Sequence, residues 1–142
     1  MKQKFDGSEG YTEQQGMQQP MSDDELAEKA EEKGLFPETY LDVNTLTLVS
    51  LTAIEGVDVY KIKVKEDSYR YYNATTGLLV RTEKSEEAQG QKITSVQDKS
   101  DYREVNGVLF PYLQKITAGP QVIEMNASEI VVNEGVSAED FK

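Results

Sequence analysis

Short glycine-containing turns recur along the chain from residue 45 onward, and they constrain the fold more than any other feature of the sequence. They separate runs in which apolar and polar residues alternate. The turns are Glu55-Gly56, Thr76-Gly77, Gln89-Gly90, Asn106-Gly107 and Gly119-Pro120. Tight turns of this kind join antiparallel neighbours, whereas parallel strands need a much longer crossover connection. The sequence therefore predicts an antiparallel β-sheet built hairpin by hairpin.

The segments between these turns are predicted to be strands. They comprise residues 45–54, 57–65, 68–73, 78–85, 91–103, 107–117 and 121–133. Alternation is clearest in residues 57–65, where every second side chain is apolar and the side chains between them are lysines. The apolar set is Tyr60, Ile62 and Val64, and the basic set is Lys61, Lys63 and Lys65. Because successive side chains point to opposite faces of a strand, we expect the apolar set to be buried and the lysines to face water.

The N-terminal part of the chain predicts one helix. Ser22 followed by Glu25 is a capping box, and the acids after Ser22 suit the positive end of a helix dipole. The helix is expected over residues 22–33, ending at Gly34. Asp6-Gly7 predicts a hairpin turn, and residues 14–20 predict a mobile polar loop.

These elements predict a mainly β fold of the α+β class. We expect a strongly curved antiparallel sheet, or half-open β-barrel, of about seven or more strands with one helix near the N-terminus. A chain of 142 residues is short enough to form a single domain, and residues 1–20 are expected to be partly mobile. Because residues 2–7 resemble a strand that runs directly into a turn, we also expect the chain to be a piece of a longer protein.

Composition excludes several classes of function. The chain has 26 acidic and 15 basic residues, a net charge of −11, and neither histidine nor cysteine. The negative charge disfavours nucleic acids and anionic membrane surfaces as partners. Without imidazole or thiolate ligands we expect no transition-metal site, no cofactor and no catalytic residue. No stretch approaches the roughly 20 apolar residues of a membrane span.

Three residue groups permit a functional interpretation alongside a structural one. Neighbouring acids such as Glu86-Glu87 resemble the carboxylate pairs of glycosidases, but adjacent side chains on a strand point apart, which favours a solvated surface. Asp98 and Asp101 lie three residues apart, which is a weak pattern for a metal site and is more typical of polar strand ends. The tyrosines at 69, 71 and 72 form either an aromatic binding wall or ordinary cross-strand packing, and packing is the favoured interpretation.

Three segments in the second half of the chain resemble a known family. Residues 71–81 (YYNATTGLLVR), 100–112 (SDYREVNGVLFPY) and 129–136 (EIVVNEGV), with Phe141 after them, are similar to hairpin and C-terminal motifs of bacterial LolA-like lipoprotein-carrier domains. Phe141 is expected to plug one end of the barrel. The similarity is strong in the latter half of the chain and loose over residues 40–70.

The resemblance implies a LolA-like β-domain in the bacterial periplasm or cell envelope. Such a domain presents a concave apolar face to a lipid-like or lipoprotein-like ligand, or to a protein partner. Similar segments are also appended C-terminally to insulinase-type zinc peptidases, so the alternative is an accessory domain that supports substrate capture or structure. The inverted His-x-x-Glu-His zinc motif of those enzymes is missing here, because the chain has no histidine. Neither interpretation assigns individual ligand-binding residues.

Overall fold

A computed structural model of the chain describes residues 2–31, 36–88, 90–132 and 134–135. The described residues fall into two compact units. Of the described residues, 2–31, 36–41 and 134–135 belong to one unit, and 42–88 and 90–132 belong to the other. Each unit is treated by itself below.

The first unit contains a three-stranded antiparallel sheet and the helix. Its strands are β1 (Lys2–Phe5), β2 (Gly10–Gln14) and β3 (Met17–Pro20), in the order β1-β2-β3. The helix α1 spans Asp23–Glu31, and a 3₁₀ turn follows at Pro37–Tyr40. The capping box is confirmed, because the Glu25 amide donates to Ser22 Oγ at 3.3 Å and the Ser22 amide donates to Glu25 Oε2 at 2.8 Å. The expected helix end at Gly34 lies outside the described residues.

The predicted loop at residues 14–20 is wrong, because this segment forms a hairpin. Gln14 pairs with Met17, and the two residues between them have positive φ angles of 53° for Gln15 and 81° for Gly16. Two consecutive positive φ angles match the twist of a tight hairpin turn. The residues that flank Gln15-Gly16 are polar, so the sequence pattern indicates a loop here and not a hairpin. By contrast, the turn predicted at Asp6-Gly7 is present, where Asp6 Oδ1 accepts the amides of Ser8 and Glu9 at 2.8 Å each.

The second unit is a seven-stranded antiparallel sheet in which every strand pairs with its neighbours in sequence. The strands are β4 (Thr47–Ile54), β5 (Val57–Lys65), β6 (Ser68–Asn73), β7 (Leu79–Ala88), β8 (Gln91–Val105), β9 (Val108–Ala118) and β10 (Gln121–Asn126). A 3₁₀ turn at Val43–Thr45 precedes β4. The sheet is curved and does not close into a barrel, so β4 and β10 form its two edges. The predicted mainly β fold with one helix is confirmed.

The predicted strand at residues 121–133 is too long, since β10 ends at Asn126. Asn126 pairs with Leu113 of β9, and the Ala127 amide still reaches the carbonyl of Tyr112 at 2.8 Å. The next residue along β9 is Pro111, which has no amide hydrogen to donate to a continued ladder. The apolar residues at 130–132 therefore lie beyond the strand rather than within it.

The two faces of the seven-stranded sheet differ from the sequence-based prediction. Val59 is fully buried, at 0% exposure, and lies on the same face as Lys61, whereas Tyr60 on the opposite face is 42% exposed. The alternation in β5 is therefore present, but the assignment of its buried face is wrong. Lys61 is itself half-buried because its stem and ammonium group cover tyrosine rings on the next strand. We call the face that carries Lys61 the charged face and the face that carries Tyr60 the apolar face.

Candidate binding surface

The charged face carries one row of directly opposed side chains across all seven strands. The row runs Ser50, Lys61, Tyr71, Arg81, Asp98, Lys115 and Glu124, from β4 to β10. From Arg81 onward the charges alternate in sign, so each ionised group faces an opposite charge on the next strand. Opposed pairs of this kind stabilise an antiparallel sheet modestly.

The strongest contacts of this row lie at its centre. Arg81 Nε contacts Asp98 Oδ1 at 2.6 Å, and both side chains are only partly exposed. Tyr71, at 6% exposure, donates its hydroxyl hydrogen to Glu83 Oε2 at 2.8 Å. The ammonium of Lys61 lies 4.2 Å from the ring centre of Tyr69 and 5.3 Å from that of Tyr71, which is within cation–π range. These contacts engage the polar groups at the centre of the charged face within the sheet.

The protonation of this cluster does not suit catalysis. Burial raises the pKa of the Tyr71 phenol above its ordinary value. A hydrogen bond with Tyr71 raises the pKa of the Lys61 ammonium as well. A tyrosine or lysine that acts as a base or nucleophile needs the opposite shift, toward neutral pH. Tyr71 therefore stays neutral and Lys61 stays charged, and the cluster holds strands together.

The opposite face carries a compact group of apolar side chains near the β4 edge. Leu51, Tyr60, Tyr72 and Leu79 lie directly opposite one another on β4 to β7, and Leu48 lies opposite Ile62 one row away. We call these six residues the leucine–tyrosine patch. Three of them are exposed, at 61% for Leu48, 60% for Leu51 and 42% for Tyr60. Opposed Cβ atoms lie about 5 Å apart, so these side chains form a continuous apolar surface.

A β-bulge is responsible for placing both leucines on one face. Leu48 and Leu51 are three residues apart, which in a regular strand puts them on opposite faces. The pairing of β4 with β5 shifts between Leu48 and Ser50, so that Val49 is an extra residue without a direct partner. The extra residue shifts the alternation of side chains along the strand, so that Leu48 and Leu51 lie on the same face of the sheet. No periodic pattern in the sequence could reveal this.

The apolar face does not stay apolar across the whole sheet. Polar side chains occupy its middle, where Arg70, Thr82 and Gln97 lie opposite one another on β6 to β8. A second apolar group begins beyond them and comprises Ile116, Ile123 and Met125 on β9 and β10. Polar side chains therefore separate the leucine–tyrosine patch from this second apolar group.

The tyrosines and paired acids singled out in the sequence are distributed over both faces. Tyr69 and Tyr71 pack beneath Lys61 on the charged face, as expected for cross-strand packing, while Tyr72 contributes to the opposite face. Glu86 and Glu87 lie opposite Ile93 and Lys92, so they occupy opposite faces and do not form a carboxylate pair. Asp98 and Asp101 contact two different arginines, Arg81 and Arg103.

A cavity of about 220 Å³ lies against the three-stranded sheet of the first unit. Its lining is mostly polar and comprises Thr12, Gln14, Gln15, Met17 and Gln19. Acyl-chain sites are lined mainly by apolar side chains, so this cavity does not have the character expected of one. Within the described ranges, no group of three or more acidic residues could hold a metal ion, and no helix has the length and hydropathy of a membrane span.

Comparison with known proteins identifies no relative, since no family model, curated protein or solved structure matches the chain. The LolA-like resemblance therefore stays a prediction that rests on the sequence motifs.

Proposed function

We propose that this chain is a non-catalytic binding domain of a bacterial cell-envelope protein and that its leucine–tyrosine patch binds a hydrophobic ligand. The ligand class we propose is the acyl chain of a lipid or lipoprotein, in keeping with the LolA-like motifs. The observation that carries the proposal is the exposure of Leu48, Leu51 and Tyr60 side by side on one face. Contiguous apolar surface of this kind marks interaction sites more often than it marks ordinary protein surface.

The contrast between the two faces supports this assignment. At the centre of the charged face, polar groups contact one another within the sheet, as Arg81 does with Asp98 and Tyr71 with Glu83. The leucine–tyrosine patch instead exposes apolar surface to water, and an acyl chain laid over it would remove that surface from water. The three exposed side chains offer roughly 300 Å², and at about 25 cal/mol per Å² their burial is worth about 7 kcal/mol before the cost of association. That cost is several kcal/mol, so we expect binding in the millimolar range.

A fluorescent fatty acid titrated into the folded protein tests the proposal. We expect saturable binding that is displaced by an unlabelled fatty acid. Leu51→Glu should weaken the binding by at least about tenfold, because the acyl chain would have to desolvate a carboxylate. Val57→Glu is the matched control, since Val57 is 43% exposed but lies on the charged face of the adjacent strand. This control should bind as the wild type does.

Two outcomes contradict the proposal. One is a folded wild-type protein that binds no fatty acid at all. The other is equal weakening by the Leu51 and Val57 variants, which would place binding away from the patch. A third variant, Ile123→Glu, reports on the second apolar group, and a loss confined to this variant would assign the ligand there instead. The accessory-domain alternative stays a prediction.

A further inference from the structure

The outer edge of β4 lacks most of the features that keep sheet edges from pairing with other chains. β4 lies at one edge of its sheet and, among the described residues, pairs only with β5. Residues 43–54 contain no aspartate, glutamate, lysine or arginine, although the chain as a whole carries a net charge of −11. Exposed edges are usually protected by charges, prolines or short length. The opposite edge, β10, has such protection, because it is two residues shorter than β4, follows Pro120 and contains Glu124.

The single protective device on β4 is the bulge at Val49, and it leaves the second part of the strand regular. From Ser50 to Ile54 the pairing with β5 is uninterrupted. Five residues is close to the usual length of a strand in globular proteins. Along this segment, the backbone N–H and C=O groups that point away from β5 can therefore pair with another strand, and no charged side chain lies among them.

We propose that the β4 edge pairs with β4 of a second copy of this chain, antiparallel and about a twofold axis through Thr52. In this register Thr52 lies opposite Thr52 of the other copy, Leu51 opposite Ala53 and Ser50 opposite Ile54. A twofold axis normal to the sheet keeps each face continuous, so Leu51 and Ala53 meet on the apolar face and Ser50 and Ile54 on the charged face. Paired threonines are favourable cross-strand neighbours.

Charge identifies a second copy as the occupant. Two molecules of charge −11 repel each other wherever acidic surfaces meet, and self-pairing through β4 brings no charged side chain to the contact, whereas the other uncharged edge strand, β3, is only four residues long and ends in Pro20. An added strand suits this edge best when it is uncharged and places apolar residues on the apolar face, as Leu51 and Ala53 do. The β4 segment meets both conditions, and it is self-complementary in the register centred on Thr52. The pairing also brings the leucine–tyrosine patches of both copies together at the centre of one continuous sheet.

Sedimentation over a concentration series tests the pairing with charge variants at the axis. The wild type should pass from one chain mass toward two as concentration rises. Thr52→Lys and Thr52→Glu should each weaken dimerisation by at least about tenfold, because two side chains of identical charge then extend from Cβ atoms about 5 Å apart across the axis. An equimolar mixture of the two variants should recover or exceed wild-type association, because opposite charges then face each other. Recovery in the mixture also shows that both variants are folded.

The control for this experiment is Val122→Lys. Val122 is 58% exposed on the other edge strand and lies on the charged face, as Thr52 does. It should leave dimerisation unchanged. The proposal is overturned by a wild type that stays monomeric throughout, by a Thr52→Lys variant that dimerises like the wild type, or by a mixture that fails to associate. Weakening by Val122→Lys equal to that by Thr52→Lys overturns it as well, since the contact would then not be specific to β4.

Discussion

The buried position of Val59 yields the sharpest quantitative prediction for this fold. Val59 is 0% exposed, whereas Val57, two residues earlier on the same face of the same strand, is 43% exposed. Substituting each by alanine removes the same atoms from two different environments. The comparison therefore isolates burial from residue type, strand and face.

The magnitude follows from the removed atoms. Val59→Ala deletes two buried carbon atoms worth about 0.8 kcal/mol each in transfer free energy, and the cavity left behind adds to this. We expect a total loss of about 2–3 kcal/mol in the free energy of unfolding. At Val57 a large part of the side chain is already in water and no closed cavity forms, so we expect a loss below about 1 kcal/mol.

Urea denaturation followed by tyrosine fluorescence measures both variants. Six of the eight tyrosines lie within residues 42–132, so this signal reports mainly on the seven-stranded sheet. The midpoint should fall further for Val59→Ala than for Val57→Ala, with an unchanged dependence on urea. Equal losses for the two variants would show that the charged face does not contain the buried part of the sheet, and our assignment of the faces would be refuted.

Three further predictions concern the charged face and metal binding. Tyr71→Phe should cost about 1 kcal/mol through the lost hydrogen bond to Glu83. The pKa of Tyr71 is raised in the folded protein, so its contribution to stability should be complete below the pKa of the unfolded chain, about 10, and be lost as the pH rises through the folded pKa. In an absorbance titration, the Tyr71→Phe variant should show one late-ionising tyrosine fewer than the wild type. A double-mutant cycle on Arg81→Met and Asp98→Asn should give a coupling free energy of about 0.5–1 kcal/mol in the stability of the protein at low salt, and this coupling should shrink in 1 M salt. A coupling that does not change with salt would show that the contact is not ionic. Calorimetric titration with Zn²⁺ should show no nanomolar site, because the chain has no histidine or cysteine, and a tight site reversed only by chelator would contradict this.

The turn residues made most of the second unit predictable. At Glu55-Gly56 and Asn106-Gly107 both residues have positive φ angles, between 50° and 82°, as tight hairpin turns require. Asn-Gly is the strongest local signal for such a turn, and the order of strands follows once each turn is recognised. The Gln15-Gly16 hairpin has the same geometry but was not recognised, because its flanking residues are polar and resemble a loop.

The faces of the sheet were not predictable from alternation alone. A period of two separates Tyr60 from Lys61 but does not say which of the two faces is covered. Hydrophobicity favoured the tyrosine side, yet Lys61 lies over the rings of Tyr69 and Tyr71, and that face contains Val59, the most buried residue of the sheet. A lysine with a long apolar stem can cover a buried surface, and a sequence pattern does not record what it covers.

The leucine–tyrosine patch was beyond prediction for a related reason. Its members lie on four strands and come together only through the register of each pairing. The patch also needs the bulge at Val49, for which the sequence carries no proline or glycine signal. Prediction of individual residues therefore succeeded for turns, which are local, and failed for the surface, which depends on pairing between strands.

The extra residue at Val49 has a consequence for how this chain tolerates change in length. A one-residue deletion inside a strand normally turns everything on one side of the gap over to the other face. In β4 the opposite holds, because the strand already contains one residue more than its partner requires. Loss of Val49 would leave a regular strand in which Leu48 and Leu51, now two residues apart, stay on the same face. Homologous chains with one residue fewer at this point would therefore preserve the patch.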